Sequence, residues 1–337
     1  MIRAVDVGRI LPMALRPWLG AVMISFSAVW VRFADVEPAR SAMLRGVYAL
    51  PALIVLVAIR TRRATRAPDG DATDRAAGWR SWLLPGAVAA GVLLGIDFVA
   101  WHESIAIIGA GLGTVLPNLQ VVFVGIAGVV LFRERPGGSF WAALPVVLVG
   151  IWVLGAVGRP VVDDGSVALG VVYGVVAAIT YAGCLVLLRF TRARTSTAAV
   201  TVLLSLTVGS LLVTAPVAAV EGVAGPAGWP ADGWLVVLAL GSQVLGWLLL
   251  TSSIHVLPAA ATSVALLLQP VLALGWGALL LAEPLGPAQL AGAAVVLLGV
   301  ALAHHGARRA AVVTPSLTPS TPGPSRPGRG SRTAGLH

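Results

Sequence analysis

Residues 116–137 read LPNLQVVFVGIAGVVLFRERPG, and residues 265–286 read ALLLQPVLALGWGALLLAEPLG. Laid over one another at a shift of 149 (269 minus 120), Gln120 falls on Gln269, Gly128 on Gly277, Glu134 on Glu283 and Gly137 on Gly286. Apolar coincidences mean little in stretches this hydrophobic. The Gln and Glu matches mean more, because such residues are rare within them. The register extends outward: Ser104-Ile105 falls on Ser253-Ile254, Val146-Val147-Leu148 on Val295-Val296-Leu297, and Gly150 on Gly299. No equally good register relates the first two apolar segments to the sixth and seventh. The chain therefore reads as two copies of one unit, and the number of membrane crossings in that unit decides the architecture.

The 337 residues are 58% hydrophobic and 11% charged, against about 25% charged in a soluble domain. Stretches of about 20 apolar residues recur along the chain, which is what a helix needs to cross a bilayer, and the small residues inside them suit close helix packing in lipid. Ten spans are expected, near 14–34, 41–59, 82–103, 108–131, 139–157, 167–188, 198–220, 234–256, 259–281 and 287–304. Breaks rich in Pro and Gly separate them, as at Ala67-Pro68-Asp69-Gly70, Pro136-Gly137-Gly138, Gly225-Pro226 and Glu283-Pro284-Leu285-Gly286. The separations between spans three and four, and between eight and nine, carry the weakest signals. The run beginning at Trp18 meets Arg32 and Asp35 without a small-x-small cleavage site, so it is expected to remain as the first span.

Cytoplasmic loops are enriched in Lys and Arg, which tests the count of ten. All 23 basic residues are Arg. With the N-terminus inside, the inner side holds Arg3, Arg9, Arg16, Arg60, Arg62, Arg63, Arg66, Arg75, Arg80, Arg133, Arg135, Arg189, Arg192, Arg194 and five arginines of the tail, nineteen in all. The outer side holds three, Arg32, Arg40 and Arg159, and Arg45 lies within a span. The net charge of +9 is thus a matter of topology and not of nucleic-acid binding. The expected organisation is a cytoplasmic N-terminus at 1–13, a first five-helix unit at 14–157, an external linker at 158–166, a second unit at 167–304, and a disordered cytoplasmic tail at 305–337 rich in Pro, Ser, Thr, Gly and Arg. Both termini are expected in the cytoplasm of a multi-pass protein of the inner (plasma) membrane. A homodimer is left open.

Five is odd, so the second unit must be threaded in the opposite sense to the first. Inverted repeats are the architecture of carriers that work by alternating access: exchanging the conformations of the two halves converts one state into the other. The expected fold class is an all-α integral membrane protein of ten helices in a 5+5 inverted repeat.

The segments Asp97-Phe98-Val99-Ala100-Trp101-His102-Glu103-Ser104, Leu116-Pro117-Asn118-Leu119-Gln120 and Leu131-Phe132-Arg133-Glu134 resemble the third and fourth helices of the drug/metabolite transporter superfamily, in its EamA-type branch. Leu268-Gln269-Pro270-Val271 and Leu281-Ala282-Glu283-Pro284 resemble the equivalent part of the second repeat. The resemblance covers about 14–304. It implies the 5+5 fold, cytoplasmic termini and export or exchange of small metabolites, with no fixed substrate. One departure stands out. The position matching Pro270 is Val121, and the nearest proline of the first half, Pro117, lies four residues earlier. The kinks of the two halves are therefore expected to differ.

A charge at the centre of a membrane costs about 2.5–3.5 kcal/mol even on the lenient insertion scale, so each one is a functional candidate. Asp97, in the middle of span three, reads as a protonatable switch or a ligand for a cationic group; the alternative is a buried ion pair. His102 and Glu103 sit at the outer end of the same span. His102 could relay a proton with Asp97, whereas Glu103 reads better as an interfacial or gate residue. Arg45 could pair with Asp97 or Glu103, hold an anionic substrate, or snorkel to the surface. Asn118, Gln120, Gln243 and Gln269 are uncharged hydrogen-bonding groups, either substrate ligands or glue between helices. Trp101 and Trp247 could line a cavity; Trp30 and Tyr181 read as interface anchors. Glu134 and Glu283 close spans four and nine as salt-bridge or gate residues, beside the helix-shaping Pro117 and Pro270.

No catalytic residue, metal ligand set or cofactor is expected. The single cysteine, Cys184, excludes a disulfide framework, and no P-loop or Cys/His cluster occurs. The partners expected are a small-molecule substrate, the lipid bilayer and protons as a coupling ion, with no nucleic acid. The leading reading is a secondary transporter acting in efflux or exchange. A membrane-embedded enzyme on a lipid substrate, built on Asp97, His102 and Glu103, and a non-transporting scaffold are the alternatives.

Overall fold

Prolines begin several of the helices, at the first position, where the missing N–H would have no partner within the helix. The computed structural model describes residues 12–66, 84–156, 167–281 and 286–313, and these are helical, without a strand among the described residues. The helices are α1 (Arg16–Ser25), α2 (Ser27–Ala34), α3 (Pro38–Arg66), α4 (Pro85–Val115), α5 (Gln120–Phe132), α6 (Gly138–Ala156), α7 (Val167–Arg194), α8 (Ala199–Val220), α9 (Ala231–Leu238), α10 (Trp247–Ser253), α11 (Ala259–Leu266), α12 (Leu268–Leu280) and α13 (Pro287–Val313). A 3-10 segment, Leu116–Leu119, joins α4 to α5, and a π-helical segment, Ala239–Gly246, joins α9 to α10.

Six of these stretches are long and apolar enough to cross a bilayer: Met13–Ala34, Pro38–Arg62, Pro85–Ser104, Ala168–Arg194, Ala199–Val220 and Ala231–Ser253. Four shorter apolar helices, Leu116–Phe132, Gly138–Gly150, Val264–Leu280 and Leu290–Ala303, stand where spans four, five, nine and ten are expected. Their lipid-facing sides show in the exposure of Val130, Leu131, Leu279 and Leu298. The expected N-terminal segment and linker, most of the expected tail, and Glu283 lie outside the described residues. The last helix, α13, continues to Val313.

The boundary between spans three and four is not a break in helix. α4 runs on to Val115, and the reversal shows in its register along α7. Gly86 lies against Thr191, Gly183 faces Leu93, and the Ser104 hydroxyl donates to the Gly170 carbonyl at 2.9 Å. Up to there α4 descends α7 antiparallel. Leu116 then lies against Gly174, and Phe132 and Glu134 reach Arg189. The chain therefore turns back between Ser104 and Leu116 and follows α7 in the other direction. The matching place in the second half is the turn between Ser253 and Ala259.

Two glycine crossings set the close packing. Where α4 meets α8, a Cβ on Gly91 would overlap the Leu206 carbonyl, and one on Gly209 would overlap that of Val88, so backbone rests on backbone. Where α6 meets α13, a Cβ on Gly150 would strike Val296, and one on Gly299 would strike Val147. These four positions are two pairs related by the shift of 149. The contact is self-complementary, as at a two-fold axis. It is also antiparallel, because moving from Val147 to Gly150 along α6 moves from Gly299 back to Val296 along α13. A two-fold axis that relates antiparallel helices runs across them, not along them.

The buried side chains form two main clusters. Leu53, Leu94, Leu188, Leu203, Trp247 and Leu250 fill the space among α3, α4, α7, α8 and α10. Val121, Phe140, Val147, Val264 and Val296 join α5, α6, α11 and α13.

Candidate functional site

Four spans are interrupted near mid-length. Span one breaks at Phe26, between Ser25 and Ser27, a Ser-flanked position of the kind at which helices kink. Span eight passes through the π segment Ala239–Gly246. Span four starts from the 3-10 turn at Leu116–Leu119, where Pro117 lacks the N–H that an α-turn would use. Span nine breaks at Leu267, between α11 and α12. Pro270 falls within the first turn of α12, where it is tolerated. The shift of 149 carries 116–119 onto 265–268, so both halves break at one place despite their differently placed prolines. Interrupted helices in a carrier mark its binding site, and π turns recur at functional sites.

The π segment carries the site's polar groups. Its i→i+5 turn presents Ser242 and Gln243 together toward α3. The Arg45 Nε donates to Gln243 Oε1 at 3.0 Å, and Nη2 donates to Ser242 Oγ at 2.9 Å. The Ser27 hydroxyl, at the broken end of span one, donates to Ser242 Oγ at 2.7 Å. Gln243 Nε2 donates to Thr207 Oγ1 in α8 at 3.2 Å. The Arg45 guanidinium also lies over the Phe98 ring, 4.8 Å from its centroid. Five spans thus hold one cation in place.

Asp97, buried one residue before Phe98, lies close enough to Arg45 for their charges to interact. Among the described residues the two make no direct ion pair: the guanidinium donates to Gln243 and Ser242 instead. Tyr181 borders Arg45 and Asp97, and the Gln269 side chain lies near its hydroxyl. Trp247 meets Tyr181 edge to face, with centroids 6.4 Å apart. Cys184 is buried beside Asp97 and Tyr181. A guanidinium held by Gln243 and Ser242 and a buried carboxyl group therefore stand apart from each other, with aromatic walls beside them.

Of the residues singled out from the sequence, Arg45, Asp97, Gln243, Trp247 and Gln269 gather around this place. Tyr181, read as an interface anchor, is a wall of the site instead. His102 interacts electrostatically with Arg45 and stacks at a tilt on Trp101, with centroids 5.0 Å apart. Glu103 and His102 line a separate recess of about 230 Å³ with Ala42, Val99, Thr214 and Glu221. The recess begins at Ala42, one helical turn before Arg45 along α3, beside Val99 and Glu103 of α4. Gln120 is buried at the start of α5, and its Oε1 finds no hydrogen-bond partner among the described residues; the same holds for Gln269 Nε2. Asn118 and Pro117 sit half-buried in the 3-10 turn. Glu134 pairs with Arg189 at 2.5 Å, and Arg189 lies over the Phe132 ring, so this carboxylate ties span four to span six away from the central charges.

Ser27, Ser242, Thr207 and Phe98 were not legible as site residues. Hydroxyls are common in membrane helices, where they bond their own backbone. Only the adjacency of Ser242 to Gln243 and the Ser-Phe-Ser at 25–27 offered a signal. The described residues contain no group of acidic, His and Cys side chains fit to hold a metal.

A family model described as the EamA-like transporter family matches the chain twice, over residues 16–156 and 168–304. No curated protein matches it. A solved structure, described as "Crystal structure of protein", is 16% identical, covers 88% of this chain and 98% of its own, and superposes with a TM-score of 0.69. At that identity the likeness speaks for the fold alone.

Proposed function

The chain belongs to the EamA-like transporter family, and from that premise we propose that it is a secondary carrier for a small zwitterionic solute, working by alternating access between two oppositely threaded five-helix halves. The antiparallel, self-complementary crossing of Gly150 and Gly299 supports the inverted arrangement. A repeat axis along the membrane normal would make these helices parallel. The reversal between Ser104 and Leu116 supports an odd count of crossings in the first half. The arginine distribution supports cytoplasmic termini in a plasma membrane.

The observation that carries the substrate class is the fixed separation of Arg45 and Asp97. Each charge is costly at that depth, and two free side chains would close into a direct pair. Gln243, Ser242 and Phe98 hold the guanidinium back from the carboxylate. A solute with a carboxylate and an ammonium group completes both, the first on the remaining Arg45 N–H groups and the second on Asp97. Its apolar part lies against Phe98, Tyr181 and Trp247. Such matching is worth far more in a dry site than in water.

Asp97 is also the group on which a proton would travel. Asp97→Asn then removes flux driven by a pH gradient and leaves solute exchange. The test is flux into proteoliposomes holding the full chain, with panels of zwitterions, anions and cations of similar size. Zwitterions are expected to move and to compete with one another. Movement of anions or cations alone, with zwitterions inert, rejects the substrate class. Movement of none of them rejects the carrier reading.

A further inference from the structure

The recess beside His102 has a counterpart at the other end of the molecule, and the counterpart is filled. The shift of 149 carries His102 to Thr251, Glu103 to Ser252 and Ser104 to Ser253. The recess lies beside Val99, His102 and Glu103 of α4, between the first residues of α3 and the last of α8. The corresponding place lies at the end of α10, beside the segment leading into α8 and the last turns of α3. Arg192 occupies it. The guanidinium Nε donates to the Thr251 carbonyl at 3.2 Å, and Nη1 donates to the Thr197 carbonyl at 2.5 Å. Thr197 is itself held by Thr195. The Thr251 carbonyl belongs to the C-terminal end of α10, where a cation is favoured. Arg192 thus fastens α7 and the loop after it to span eight, on the face opposite the open recess.

We propose that Arg192 is the gate residue of the inner mouth, and that this structure is the outward-open state, closed inside by its clasp on Thr251 and Thr197. The inference rests on the carrier reading and adds to it which residue shuts which side. Under inverted symmetry, the open recess on one side and the filled site on the other are the two conformations that the halves exchange. Arg60, at the end of α3, faces Arg192 closely enough for like charges to interact. That repulsion keeps the clasp weaker than its hydrogen bonds alone would make it, so it can open within a transport cycle. Release lets the loop before α8 move off α10 and exposes the half-buried Ser252 more fully, while the recess at Val99 and Ala42 closes.

The test reads accessibility, not transport. In full-length chain carrying Cys184→Ser, a single cysteine is placed at Val99→Cys in the recess or at Ser252→Cys beside the clasp. Oriented vesicles are then exposed to a membrane-impermeant maleimide from either face. With Arg192 intact, the cysteine at 99 is expected to label readily and that at 252, half-buried beside the clasp, to label slowly. Arg192→Ala should raise labelling at 252 by about tenfold, the worth of one charge-assisted hydrogen bond, and lower labelling at 99. Arg192→Gln, which keeps a donor, should fall between the two and serves should the Ala chain misfold. No rise at 252, or a rise there without a fall at 99, overturns the proposal, since the second outcome is a frayed helix end and not an exchange of states. Because no solute is needed, an accessibility exchange in a chain that carries nothing would defeat the carrier reading and leave the switch standing.

Discussion

Replacing Arg45 by Gln takes away two hydrogen bonds from a charged donor, the contact with the Phe98 ring and the nearest opposite charge to Asp97. Each hydrogen bond of this kind contributes about 1.5–3 kcal/mol, and a desolvated cation over an aromatic ring about 2 kcal/mol. These do not add, because the same group makes them and Gln243 and Ser242 keep Thr207 and Ser27 as partners. The larger consequence is a carboxylate left buried without its counter-charge, which costs about 3–5 kcal/mol. Arg45→Gln is therefore expected to lose about 3–5 kcal/mol of stability, and adding Asp97→Asn should recover part of that loss. The double-mutant coupling should be about 2–3 kcal/mol. Reversible unfolding of the four purified chains in mixed micelles measures it. Additivity within about 0.5 kcal/mol would show that the two charges do not share a site, and the zwitterion argument would go with it.

Further outcomes follow from the packing. Gly91→Leu should cost about 1–3 kcal/mol or more by forcing α4 off α8, read as a lower unfolding midpoint, whereas Gly138→Ala, where an added Cβ meets nothing, should leave the midpoint in place. Gln243→Leu should weaken solute binding by about tenfold, since it frees the Arg45 side chain from its bound position; competition assays in proteoliposomes check this, and Ser205→Ala, away from the charges, is the control. Breaking the half-buried Glu134–Arg189 pair with Glu134→Ala should cost between the ~1 kcal/mol of an exposed pair and the ~3–5 kcal/mol of a buried one, and Arg189→Met added to it should recover part of that in the same unfolding assay.

Much of the architecture was legible because composition, arginine placement and repeat register are properties of whole segments. Lipid tests each segment by its summed polarity, so the ten apolar stretches could be placed from the residues alone. Pro117 and Pro270 marked the neighbourhood of the breaks in spans four and nine, but the π segment of span eight carries no local signal: it presents Ser242 and Gln243 to Arg45, about two hundred positions away. At the boundary between spans three and four only Gly109, Gly111 and Gly113 offered a signal, and the chain stays helical through them. Arg45, Asp97 and Gln243 stood out because charge and amide groups are rare in lipid. The hydroxyls that complete the site carry no such signal, and Tyr181 was misplaced because an aromatic ring near a span suits an interface and a cavity wall equally well.

The claim beneath all of this is that the two halves are threaded in opposite senses. Gly137 and Gly286 follow spans four and nine and correspond under the repeat. In chain carrying Cys184→Ser, single cysteines at Gly137→Cys and Gly286→Cys can be challenged with an impermeant maleimide from each side of the membrane. Opposite threading predicts labelling of the first from the cytoplasmic face and of the second from the outer face. Labelling of both from one face would contradict it.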